Sequence, residues 1–114
     1  MSKIADATYV ALKNLYSFDK IEKEYYINYK NTRLFFDFFI RSLQVLVECD
    51  GEQHYKYVSH FHNTIEDFYA QRRRDNLKIE YCEENNLTLV RFYDKKDTIT
   101  EQLILNRIYE AMSE

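Results

Sequence analysis

Two apolar segments each carry a carboxylate where another hydrophobic side chain is expected. That pair constrains the fold more than any other feature of the chain. Leu34-Phe35-Phe36 and Phe38-Phe39-Ile40 flank Asp37, and Val45-Leu46-Val47 runs directly into Glu48. Aromatic and β-branched residues at this density read as strands. A sheet built from both takes two carboxylates out of water, which is costly unless something neutralises them. A divalent cation satisfies several carboxylate oxygens at once. The stretch from Arg33 to Tyr55 therefore points to a metal-dependent site.

The rest of the chain supplies a frame for that stretch. Ile4, Ala7, Ala11, Leu12 and Leu15 recur at helical spacing, which predicts a helix from Lys3 to Tyr16. Ile21 to Tyr29 reads as a strand, Asn31-Thr32 as a turn, and Arg33 to Ile40 as a second strand. Arg41-Ser42-Leu43 leads into a third strand from Gln44 to Cys49, and Asp50 to Asn63 reads as a loop. Thr64 or Asn63 caps a long helix whose first turn holds Glu66 and Asp67, acids suited to the positive helix end. Asn86 supplies the left-handed residue that stops it. Leu87 to Tyr93 is a fourth strand and Thr98 to Met112 a closing helix. With one glycine, Gly51, and no proline, the turns must use Asn, Asp and Ser. The order α-β-β-β-α-β-α predicts an α/β (α+β) fold, a small mixed sheet flanked by helices. A length of 114 residues suits one domain, residues 1–114.

On the long helix, Phe68, Arg72, Asp75, Ile79 and Cys82 share one face. Two charged residues interrupt that stripe. The simple account is a local Arg72–Asp75 pair; the sharper one is that the stripe looks into the acidic site.

The ordered set Asp37, Glu48-x-Asp50-Gly51, His54 and Asp75-x-x-Lys78, followed by a strand ending Val-Arg-Phe, resembles the PD-(D/E)XK nuclease superfamily. More narrowly it is similar to the very-short-patch-repair and EDxHD homing endonuclease branch, from about Glu24 to Tyr93. The resemblance implies a restriction-endonuclease-like core. It makes Asp37 and Glu48 metal ligands with the Cys49 carbonyl beside them, and His54 with Asp75 the couple that serves the attacking water. Two positions depart from the pattern. Asp50 stands where the superfamily has its lysine, so Lys78 or His54 takes over that role. The branch's first-helix glutamate is represented only by the shorter Asp6. The expected activity is Mg²⁺-dependent hydrolysis of DNA phosphodiesters, with Mn²⁺ able to substitute. A junction resolvase on the same fold and a catalytically inert nucleic-acid-binding module remain open.

The chemistry is consistent with that expectation. A phosphodiester repels an attacking hydroxide, so its charge must be neutralised and a nucleophile made. Asp37 and Glu48 provide a partial oxygen cage. Glu48 and Asp50 fall on one face of an extended strand, which makes Asp50 a third ligand or a supporting carboxylate. A neutral His54 can accept a proton near pH 7, with Asp75 fixing its tautomer. Each residue also has an ordinary explanation: Asp37 paired with Arg33, Glu48 on an exposed edge, His54 in a plain loop, Asp75 and Lys78 as a surface pair. Zinc on His54, His60 and His62 is a further alternative.

A net charge of −3 argues on its face against nucleic acid, but an acidic metal site reverses its sign once occupied. DNA contacts are expected from Arg72, Arg73, Arg74, Lys56 and Arg41, mostly to phosphates. Modest intrinsic specificity then calls for a homodimer or a fused or partner recognition domain. Cys49 and Cys82 read as buried free thiols. The absence of a leader pattern or a long apolar run predicts a cytoplasmic protein without a membrane segment.

Overall fold

The computed structural model describes residues 2–51, residue 57 and residues 64–114. Its elements are α1 (Lys3–Leu15), β1 (Ile21–Tyr29), β2 (Thr32–Ile40), β3 (Val45–Asp50), α2 (Ile65–Glu84), β4 (Thr88–Tyr93) and α3 (Glu101–Met112), with a single 3₁₀ turn (Arg41–Leu43) before β3. The sheet order is β1-β2-β3-β4. The first three strands are antiparallel and β4 runs parallel to β3. The fold is α+β with a four-stranded mixed sheet, and the element order is the one the sequence predicts.

Local chemistry explains the boundaries. Ser2, Thr64 and Thr100 cap the three helices by accepting from Ala5 N, Asp67 N and Leu103 N. The β1–β2 turn uses Lys30 and Asn31, at φ 51° and 61°, rather than the expected Asn31 and Thr32. Two consecutive left-handed residues match the twist of a tight hairpin, and β-branched Thr32 stays in the strand. Asn86, at φ 55°, follows α2 in the left-handed conformation as expected.

The sheet has two differently built faces. Beneath α1 and α3, Phe38, Ile40, Val45, Val47, Val90 and Phe92 pack against Ile4, Leu12, Ile104 and Ile108 in an apolar core that also takes in the buried Thr8 of α1. Beneath α2, Leu34, Phe36, Phe39 and Leu46 form a smaller cluster with Cys82. Side chains alternate along a strand, so Leu34, Phe36, Phe38 and Ile40 belong on one face. They do not share one: the first two lie under α2 and the last two under α1 and α3. β2 therefore turns over at Asp37. β1 does the same, with Ile21 in one core and Tyr25, Ile27 and Tyr29 against the other. Glu24, opposite Asp37 by register, takes φ 50° at that level.

The inward face of α2 also corrects the sequence reading. Lys78 and Cys82 are its buried residues, while Ile79 is 43% exposed. Cys82 of the expected stripe is buried and Arg72, Asp75 and Ile79 border Asp50 and Arg91, but at the level of Glu48 the inward side chain is Lys78 rather than Ile79, because a buried carboxylate is satisfied by an ammonium and not by an isoleucine.

Candidate active site where two strands part

β2 and β3 pair only from Ile40↔Val45 to Phe38↔Val47. Beyond that point carboxylates replace the ladder. The backbone N–H of Asp37 donates to Glu48 Oε1 at 3.0 Å, and the N–H of Cys49 donates to Asp37 Oδ2 at 2.7 Å. Each strand thus closes its open N–H on the other strand's acid. The turnover of β2 aims the Asp37 carboxylate at the β3 backbone, instead of the pairing with Arg33 that an ordinary reading allows.

Glu48 is 3% exposed, and its Oε2 accepts from Lys78 Nζ at 2.7 Å. Burial pushes the Glu48 carboxyl up to about 7; Lys78 pulls it down, while Asp37 and Asp50 push it further up. The Lys78 ammonium also lies 5.4 Å from the centre of the Phe36 ring. Lys78 comes from a helix thirty positions on, yet it occupies the neighbourhood of the Glu48 carboxylate. No Glu-x-Lys spacing is needed for that.

Asp50 lies on the same face as Glu48, as alternation predicts, and is fully buried. Its Oδ2 accepts from Arg91 Nη1 at 2.9 Å, so this carboxylate serves as the counter-ion of an arginine. Arg91 also reaches Asp75, 3.9 Å from Oδ1 and 3.5 Å from the backbone carbonyl. Burial opposes the Arg91 charge, but Asp50, Asp75 and Glu48 outweigh it and hold the guanidinium above its ordinary value. Sequence reasoning gave Arg91 no role. The available signal was register: Arg91 sits directly beside Glu48 in the parallel β3–β4 pair, so both project from one face. Above it opens a cleft of about 230 Å³ lined by Asp50, Arg72, Asp75, Arg91 and Tyr93.

Cys49 packs toward the α1 and α3 side, where burial pushes its thiol up to about 12. Only its backbone carbonyl is suited to a hard cation. Both cysteines are free, as expected. Asp6 is exposed on α1, and no hydrogen bond or ion pair joins it to the cluster among the described residues. The α1 residue beside Cys49 is instead buried Thr8. The reason is helical phase: Ile4, Ala5, Thr8, Ala11 and Leu12 face the sheet, which turns Asp6 outward. Arg72, Arg73 and Arg74 are all exposed, and only Arg72 lines the cleft. Arg41 is held by a two-pronged pair to Glu22 at 2.9 and 3.1 Å and stacks 4.8 Å from the Phe39 ring centre. His54 and Lys56 lie outside the described residues, as do His60 and His62.

Asp37, Glu48 and the Cys49 carbonyl offer only oxygen donors, the chemistry a hard divalent cation takes, and both Glu48 oxygens already accept from Asp37 N and Lys78 Nζ. Among the described residues no cluster of three or more His, Cys, Asp or Glu side chains forms a ready cage. The same region brings four carboxylates, Asp37, Glu48, Asp50 and Asp75, together with two cationic side chains, Lys78 and Arg91.

Over 71 residues, 61% of its length, the chain is 42% identical to the uncharacterized protein 307L of Invertebrate iridescent virus 6. It spans 36% of that relative's length. No protein-family model and no solved structure matches. Among the described residues no helix is long and apolar enough to cross a membrane.

Proposed function

We propose that this chain is a metal-dependent endonuclease that hydrolyses DNA phosphodiester bonds, built on a restriction-endonuclease-like core. One observation carries the reading. Two carboxylates from adjacent strands, Asp37 and Glu48, meet where the ladder parts, with an ammonium from α2 on the second of them. Mg²⁺, or Mn²⁺ in its place, would be held by Asp37, Glu48 and the Cys49 carbonyl, and would supply Lewis acidity toward a phosphoryl oxygen. Lys78 restrains the Glu48 carboxylate and places positive charge beside the reacting phosphate. Arg72 binds a flanking phosphate at the cleft, above the Arg91–Asp50 pair. Arg91 in turn orients Asp75, the residue that the resemblance couples to His54. His54 accepts the proton of the attacking water, a contribution of about 10²–10⁴-fold. Asp6 and Arg41 have no part in this scheme: the first faces away from the cluster, and the second is bound to Glu22.

Supercoiled plasmid incubated with Mg²⁺ or Mn²⁺ tests the reading. Wild-type protein is expected to nick, and chelation, Asp37→Asn and His54→Ala to abolish or severely reduce the product. Preference for four-way junctions over linear duplex would assign the resolvase form. Full activity of Asp37→Asn would refute the reading. A binding-only module is favoured by one feature, the Lys78–Glu48 pair, which already neutralises the buried carboxylate without a metal ion. DNA binding indifferent to Mn²⁺, with no cleavage in either ion, would select it.

A further inference from the structure

β4 is an edge strand, and its outer backbone edge is only half closed. Thr88 N donates to Gln44 O and Asp94 N to Asp50 O, so the even-numbered residues of β4 face β3. Leu89, Arg91 and Tyr93 therefore turn their backbone groups outward. At the C-terminal half those groups are capped. Tyr93 N donates to Asp97 Oδ2 at 2.7 Å, and Arg107 Nη1 donates to the Arg91 carbonyl at 3.2 Å. Asp97 and Arg107 bind each other at 2.8 and 3.1 Å, so one ion pair stands where a neighbouring strand would. No described residue caps Leu89 N–H, Leu89 C=O or Arg91 N–H.

Beside that open half runs a groove of about 560 Å³ between α2 and α3. Ile79, Leu89 and Ala111 give it an apolar floor and walls, and Glu83 and Glu114 add carboxylates. The arginines in the groove are already matched: Arg91 by Asp50 and Asp75, Arg107 by Asp97. The surplus charge that an incoming chain meets is negative.

We propose that the Leu89–Arg91 edge accepts an extended basic segment of another polypeptide as an added strand. Backbone hydrogen bonds give the attachment, apolar side chains enter between Ile79 and Ala111, and Lys or Arg pairs with Glu83 and Glu114. The Asp97–Arg107 plug fixes the register, since pairing cannot extend past Arg91 while it is in place. The groove shares Ile79, Arg91 and Tyr93 with the cleft, but neither Asp37 nor Glu48 lines it.

The probe is a short synthetic peptide alternating valine and lysine, titrated into the full chain while backbone amide NMR signals are followed. Binding is expected to shift the Leu89 and Arg91 amides and slow their exchange. A backbone N-methylated version of the peptide should fail to bind. Glu83→Gln should weaken binding by about fivefold without altering the spectrum of the core, as expected for an exposed charge pair. Asp97→Asn should extend the slowed exchange to Tyr93. Equal binding of a valine–glutamate peptide, unaffected Leu89 and Arg91 amides, or concentration-dependent protection of those amides without peptide would each overturn the proposal. The last result would assign the edge to a second copy of the chain.

Discussion

The face of the sheet under α1 and α3 and the face under α2 are made from the same four strands, but they solve opposite problems. The first buries Phe38, Ile40, Val45, Val47, Val90 and Phe92 with no charged side chain among its buried residues. The second buries Glu48, Asp50 and Lys78 beside a smaller apolar cluster. Apolar burial yields roughly 25 cal/mol per Å² and needs no partner of specific geometry. A buried ion pair returns little or nothing net, because desolvation offsets its attraction. The contrast teaches that the α1–α3 face holds the domain together, and that the charges under α2 are poor candidates for a stabilising role.

Emptying each face in turn should affect different properties. Asp37→Asn should lower plasmid nicking by on the order of 10³-fold while leaving the urea midpoint near wild type. Leu12→Ala, under α1, should do the reverse: a loss of about 2–5 kcal/mol in urea unfolding, with nicking per folded molecule unchanged. If Leu12→Ala abolished nicking in fully folded protein, or Asp37→Asn unfolded the domain, the division of labour between the faces would be wrong.

The next test concerns the buried pair itself. Lys78→Met alone strands the Glu48 charge and should cost about 3–5 kcal/mol of stability. Combining it with Glu48→Leu should recover most of that loss, and an outcome more stable than wild type would fit the same physics. Nicking should be absent from both. A double variant as unstable as the single one would show that the pair is a structural element after all.

At the β4 edge the charge pair is worth less. Asp97 lies well below the usual carboxylate range, chiefly through its hydrogen bonds to Arg107. A carboxyl lowered in the folded state adds stability above its unfolded value, near 3.8, and loses it as pH falls through the folded value. Asp97→Asn should therefore cost about 1 kcal/mol at neutral pH, and the difference from wild type should vanish in acid. Thermal melts across that pH range measure it; a pH-independent difference would mean that the loss is steric.

Much of this was legible in the chain. Strand and helix periodicity, the Thr64 cap and left-handed Asn86 gave the elements and their order. Alternation put Glu48 and Asp50 on one face. Three features were not legible. The turnover of β2 at Asp37 needs the paired Glu24, which carries no turn signature. Periodicity alone favoured Ile79 over Lys78 as the inward residue, and only the resemblance pointed to Lys78, because the requirement comes from Glu48 on a distant strand. Arg91 looked like any strand residue until the parallel register set it beside Glu48.

Which segments are strands and helices follows from side-chain size, branching and the repeat of apolar residues over a few positions. Which charges meet depends on how the elements pack. A carboxylate's partner is chosen by proximity in space, and Lys78 reaches Glu48, and Arg91 reaches Asp50, only after the sheet has aligned β3 with β4 and α2 has settled across them.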